Sequence, residues 1–194
     1  MNKMKLRIST SIGLIFILIS CQEDVNSPKP LGYFRIEFPE KEYQHYEGNC
    51  PFEFSYPVQS ILDTQKRENR EPCWMNLHYP QYAATIHLTY NQLNDTNLAT
   101  YLEDSRKLAM KHTVRADNIE ERVFENPEEH VYGIAYDFEG NTASNFQFII
   151  TDSTRHFMRG SMYFNLPPNS DSLLPIASFI KKDLIVLMES FRWR

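Results

Sequence analysis

Few side chains in this 194-residue sequence are spaced for chemistry, and each spacing can be weighed against the reaction it would serve. Ser144 and Ser153 lack the Gly-x-Ser-x-Gly elbow that exposes a nucleophilic serine, and no Ser-x-x-Lys precedes a plausible partner set. His78, His87 and His156 fall on three predicted strands and would make a metal cluster if those strands brought them together. Isolated histidines on strands are more often surface or core residues, and no CxxC or HExxH spacing accompanies them. No catalytic residue, metal ligand or cofactor is therefore assigned. Cys21 carries the clearest chemical signal, because Leu18-Ile19-Ser20-Cys21 closes a short N-terminus that is first basic and then apolar.

That tetrapeptide resembles the lipobox of bacterial lipoprotein signal peptides. Lys3, Lys5 and Arg7 supply the positive region, and Ile12 to Ile19 supply an apolar core far shorter than the roughly 20 residues of a spanning helix. The resemblance implies cleavage before Cys21, acylation of its thiol and new amino terminus, and a mature chain tethered to a membrane. The competing reading is an ordinary secretory leader, with Cys21 near the cut by chance. Several acyl chains, each buried methylene contributing roughly 0.8 kcal/mol, would make the attachment effectively permanent.

Residues 1–20 are thus read as the leader, 21–31 as the lipidated tether and 32–194 as one globular domain. Gln22 to Pro30 is polar and holds two prolines, as a spacer requires. The formal net charge is −5, and losing Lys3, Lys5 and Arg7 leaves the mature chain more acidic still, which argues against a nucleic-acid partner. Cys50 and Cys73 form an even pair in an exported protein, so a disulfide is expected, the alternative being two buried free thiols.

Alternating patterns predict strands at residues 33–38, 52–56, 74–79 and 84–90, then a hairpin of 132–138 with 146–150, and a further strand at 156–164. Leu98, Tyr101, Leu102, Ser105, Leu108, Ala109 and His112 recur at helical steps, with Asp95 or Thr96 as cap. A second helix runs from Leu173 to Phe191, capped by Asp171 and Ser172, with Pro175 in its first turn and with Lys181 and Lys182 facing water. Without repeated βαβ units the class is α+β, a mainly antiparallel sheet with two packed helices. Phe52-x-Phe54-x-Tyr56-Pro57 and the terminal helix give this outline a resemblance to Mog1/PsbP-like folds.

Cys50-Pro51-Phe52, Cys73-Trp74-Met75-Asn76, Gly140-Asn141-Thr142-Ala143-Ser144 and His156-Phe157-Met158-Arg159-Gly160, in this order and spacing, resemble the gliding-motility lipoprotein GldD family of Bacteroidota. The resemblance covers essentially the whole mature chain. It implies an envelope lipoprotein needed by the gliding machinery and the associated type IX secretion system, and the leading expectation is a non-enzymatic assembly or stabilising factor that binds other envelope proteins of that machinery, with its domain facing the periplasm. It transfers no catalytic residue.

Within residues 140–160, Asn141, Gln147, Thr151, Asp152 and Arg159 form a polar concentration unusual for strands. They are candidate partner-binding residues, against the alternative that Gln147 and Arg159 satisfy buried groups inside the fold. A small hydrophobic or cell-wall ligand is the alternative to protein partners, and a hydrolase comes third. The lipid reading predicts that Cys21→Ala abolishes incorporation of a fatty-acid analogue while leaving the domain folded. Equal labelling of the two proteins would overturn it.

Overall fold

The period-two pattern of residues 84–90 and 132–150 is realised at the centre of a seven-stranded sheet. A computed structural model describes residues 36–64, 71–111, 113–166 and 170–194, the side chains of Thr113, Ser170 and Asp171 excepted. They lie within one compact unit, Tyr33–Arg194. Cys21 and the leader fall outside the described residues.

Among the described residues are ten strands and two α-helices: β1 (Tyr43–Tyr46), β2 (Phe52–Pro57), β3 (Ile61–Asp63), β4 (Met75–Tyr79), β5 (Ala84–Gln92), α1 (Leu98–Met110), β6 (Ala116–Asn126), β7 (Val131–Gly140), β8 (Phe146–Thr151), β9 (His156–Phe164), α2 (Ser170–Glu189) and β10 (Arg192–Trp193). The large sheet has the order β3-β4-β5-β9-β8-β7-β6, and a small one has the order β1-β2-β10. Every pairing is antiparallel. The class is α+β, as the order of elements in the sequence requires.

Ile86, Leu88, Phe146, Phe148, Ile150, Met158 and Met162 point to one face of the large sheet, where Ile180, Leu184 and Leu187 of α2 meet them with Phe52 and Phe54 of the small sheet. On the other face Tyr136, Phe138, Ile149 and Phe157 pack beneath α1. Burying each such side chain contributes about 1.5–3 kcal/mol. Cys50 and Cys73 are joined by a disulfide with Cα atoms 5.6 Å apart, which fastens the start of β2 to the segment before β4.

Several local expectations are corrected. No strand occupies 36–38. Phe38 instead stacks on Phe179 of α2 at 4.4 Å, so its apolar surface docks on a helix, and Pro39 offers no N–H to a ladder. The cap of α1 is Asn97, whose side chain accepts from Asn94 N–H rather than from the helix, and α1 ends at Met110. Helix α2 begins at Ser170, so Asp171 and Ser172 lie inside it and Pro175 occupies its second turn, where it forfeits one helical bond. Lys182 is exposed, but Lys181 is half-buried and donates to Asp137 of β7 at 2.5 Å. Strands β1, β3, β6 and β10 were not anticipated.

The segment before β1 is pinned by one carboxylate. Asp183 on α2 is fully enclosed and accepts from Lys41 Nζ (2.5 Å), Tyr43 OH (2.9 Å) and Tyr79 OH (3.3 Å). Lys41 also donates to Phe179 O and stands 3.8 Å above the Phe179 ring centre. Burial first, then the Asp183 carboxylate, pushes the Tyr43 hydroxyl up to about 12, and the same causes raise Tyr79, so both remain donors at neutral pH. Lys41→Met, which strands the carboxylate, should cost about 3–5 kcal/mol in denaturant unfolding. Adding Asp183→Leu should restore most of that loss, and a double variant no more stable than Lys41→Met would refute the assignment.

Candidate partner-binding surface

Helix α1 has 13 residues and covers only part of its sheet face. Beyond it the face is polar. Residues opposite one another share a face, and the registers place Asn76 with His87, His87 with Ser161, Thr89 with Arg159 and Gln147 with Ser161. The result is a row of hydrogen-bonding side chains across β4, β5, β9 and β8.

Arg159 is the charged centre of this row. Its Nη2 donates to Gln147 Oε1 at 2.5 Å. Burial lowers the Arg159 pKa, and the charge and hydrogen bond of Tyr163 oppose that effect. An arginine so placed remains a cation with its fork directed by neighbours. Gln147 and Ser161 are each 1% exposed, and among the described residues Gln147 Nε2 and Ser161 Oγ have no hydrogen-bond partner. At one end of the row His87 Nδ1 lies 2.9 Å from Asn76 Oδ1, and the His87 ring centre lies 5.7 Å from that of Tyr163.

The five candidate residues do not form one patch. Asn141 is exposed in the β7–β8 turn, at the opposite end of β8 from Thr151 and Asp152, and six extended residues separate the two ends by about 20 Å. Thr151 is buried, donates to His156 O (2.7 Å) and accepts from Ser153 N–H (2.9 Å). Asp152 accepts from the N–H groups of Thr154, Arg155 and His156 and from the Thr154 hydroxyl. Burial opposes ionisation of Asp152, yet these four donors outweigh it and hold the carboxyl below its usual value. Both residues build the β8–β9 turn, in which Ser153 adopts φ +66°. Gln147 and Thr151 are buried, leaving Asn141 exposed and Asp152 and Arg159 half-buried.

The remaining chemical candidates are also dispersed. His78 and His87 lie on the α1 side of the sheet, whereas His156 projects to the other side, bonded to Tyr90 OH (2.9 Å) and stacked on Trp193 (5.0 Å). The three histidines therefore do not converge. Among the described residues a different trio, His45, Glu47 and Glu53, has metal-compatible spacing, with His45 and Glu47 exposed and Glu53 also 3.9 Å from Arg194. Ser144 is enclosed in the β7–β8 turn and Ser153 is exposed at the β8–β9 turn. No helix among the described residues is long and apolar enough to cross a membrane. Sequence reasoning did not identify the enclosed Asp183, because a helical aspartate beside two lysines reads as a solvated charge until the tertiary contacts bury it.

The family model for the gliding motility lipoprotein GldD matches residues 23–193. No curated protein matches the chain. Among solved structures, the solution structure of cyanobacterial PsbP (CyanoP) from Synechocystis sp. PCC 6803 is similar at 12% identity and a TM-score of 0.49, over 85% of this chain and 99% of that one.

The Gln147–Arg159 contact generates a stability prediction. Gln147→Ala removes one side-chain acceptor from the part-buried Arg159 fork and should cost about 1–3 kcal/mol, lowering the melting temperature by several degrees. A melting temperature equal to wild type, measured calorimetrically, would show that Gln147 has no supporting role.

Proposed function

The chain belongs to the family of the gliding motility lipoprotein GldD, and from that membership we propose that it is a non-enzymatic assembly or stabilising factor of the gliding and type IX secretion apparatus. It is anchored through Cys21, with its domain in the periplasm. The observation that carries this reading is the extent of the family match, residues 23–193, which begins two residues after Cys21 and takes in the whole α+β domain. Residues 22–35 span at most about 50 Å when fully extended, so the domain works close to the bilayer that holds the lipid. A protein held there meets other envelope proteins at high effective concentration.

A second reading, an envelope module for a small hydrophobic or cell-wall ligand, is favoured by a recess of about 600 Å³ lined by Trp74, Tyr90 and Tyr101 together with the polar Glu71, Asn91 and Gln92, which is the size of a ligand site. Gentle crosslinking in cells followed by recovery of the tagged chain separates the two. The assembly reading expects a small, reproducible set of envelope proteins, depleted when Cys21→Ala releases the domain from the membrane. Recovery of no protein partner, with a co-purifying small molecule instead, would favour the ligand reading.

A further inference from the structure

Among the described residues, strand β6 is the longest and forms an open edge of the large sheet, paired only with β7. Its direction of hydrogen bonding follows from its neighbours. Phe138 N–H donates to Asn145 O, so Phe138 and alternate residues of β7 turn their backbone toward β8, and the residues between them turn toward β6. Ile119, Glu121, Val123 and Glu125 sit opposite the first set, at non-hydrogen-bonded positions. Their N–H and C=O groups therefore face outward along the free edge.

The side chains on this edge are also specific. Glu121, Val123 and Glu125 share the α1 face of the sheet, and Val123 is 67% exposed. On the opposite face Arg122 makes a two-pronged ion pair with Glu120 (2.8 and 2.6 Å), so its charge is already matched. Among the described residues neither Glu121 nor Glu125 has an ion-pair partner. Apolar grooves flank the edge on both faces: one of about 180 Å³ with Leu102, Val123 and Ile134, and one of about 200 Å³ with Phe124, Ile185 and Met188. The Phe124 ring lies where a Cβ on Gly133 would stand, so the absence of a side chain there lets Phe124 of β6 pack down on β7.

The geometry points to β6 as a docking edge for an extended, basic segment of an envelope protein partner, which adds as an eighth strand and presents the pattern Lys-apolar-Lys at alternate residues to Glu121, Val123 and Glu125. Main-chain bonds give such additions their affinity, and alternate side chains give them specificity. A second copy of this chain is the wrong occupant. An antiparallel β6–β6 pairing centred on Val123 would set Glu121 against Glu125 twice, and like charges directly opposite are destabilising. This inference deepens the protein-partner reading above, but its test is made on the purified chain and so can fail while partners are still recovered from cells.

The test uses the full chain in a nonionic detergent and two blocked, threonine-flanked peptides, one carrying Lys-Thr-Ile-Thr-Lys and the other Glu-Thr-Ile-Thr-Glu. Amide hydrogen exchange is followed by NMR at millimolar peptide. At nine-tenths occupancy the lysine peptide should slow exchange at Glu121, Val123 and Glu125 about tenfold, since only the free fraction exchanges. It should leave the already paired Glu120, Arg122 and Phe124 unchanged, and its effect should weaken in high salt. Glu121→Lys with Glu125→Lys, two exposed positions, should transfer the preference to the glutamate peptide. Val123→Pro, which removes an outward N–H without breaking a β7 bond, should abolish the effect of the lysine peptide. Equal protection by both peptides, none by either, or an unchanged preference in the charge-reversed variant would overturn the proposal. So would protein-concentration-dependent protection without peptide, which would make a second copy the occupant.

Discussion

Strand β8 is buried at all six of its residues, and that single constraint organises the molecule. A strand whose two faces are both apolar or enclosed requires cover on both sides of its sheet. Helix α2 and the small sheet provide it on one side, and α1 on the other. The two covers are unequal. Helix α2, at 20 residues, faces a continuous hydrophobic cluster, whereas α1 packs on Ile149 and on Phe157 at the start of β9, and farther along that face Asn76, His87, Thr89 and Arg159 are polar. The Arg159 row exists because the sheet is wider than the helix laid across it.

The same logic explains why a charge is buried at the thick side. Asp183 lies on the inner face of α2, and three donors, Lys41, Tyr43 and Tyr79, converge on it from the entering segment, β1 and β4. An enclosed carboxylate is tolerable only when its oxygens are matched in this way. The arrangement docks the segment before β1 on the core through Lys41 and Tyr43. Aromatic packing closes the other end of β2: Phe191 lies between Phe52, Phe54 and Trp193 at 4.6–6.2 Å, and Arg194 donates to the carbonyls of Cys50 and Phe52. The disulfide, this aromatic cluster and the small sheet hold together segments that are distant in sequence.

For a membrane-tethered protein, the distribution of polar groups matters more than their number. Thr151, Asp152 and Gln147 are spent within the fold, on a turn and on Arg159. Strand β6 differs, because its outward backbone groups and two of its glutamates are used by no element described. Charges on an edge also deter aggregation, so the same acidic residues that keep copies of the chain apart select a basic occupant.

Hydrophobic periodicity in the sequence determined β2, β4, β5, β7, β8, β9 and both helices, because each buries one stripe or alternate residues, and burial imposes its period on residue type. The even number of exported cysteines likewise made the Cys50 and Cys73 pair legible. Strand β6 escaped because an edge strand with both faces largely exposed has no alternation to display; β1, β3 and β10 are too short to carry one. At 36–38 the alternation misled in the opposite sense, since Phe38 is apolar to dock on Phe179 rather than to line a sheet. Grouping Gln147, Thr151, Asp152 and Arg159 was sound as chemistry, yet proximity in sequence cannot tell which end of a strand or which depth a residue occupies. Only the tertiary structure decided that Gln147 is enclosed, that Asp183 is buried among three donors and that the β6 backbone faces outward, because each depends on which distant segment lies alongside, and that is set by packing rather than by local pattern.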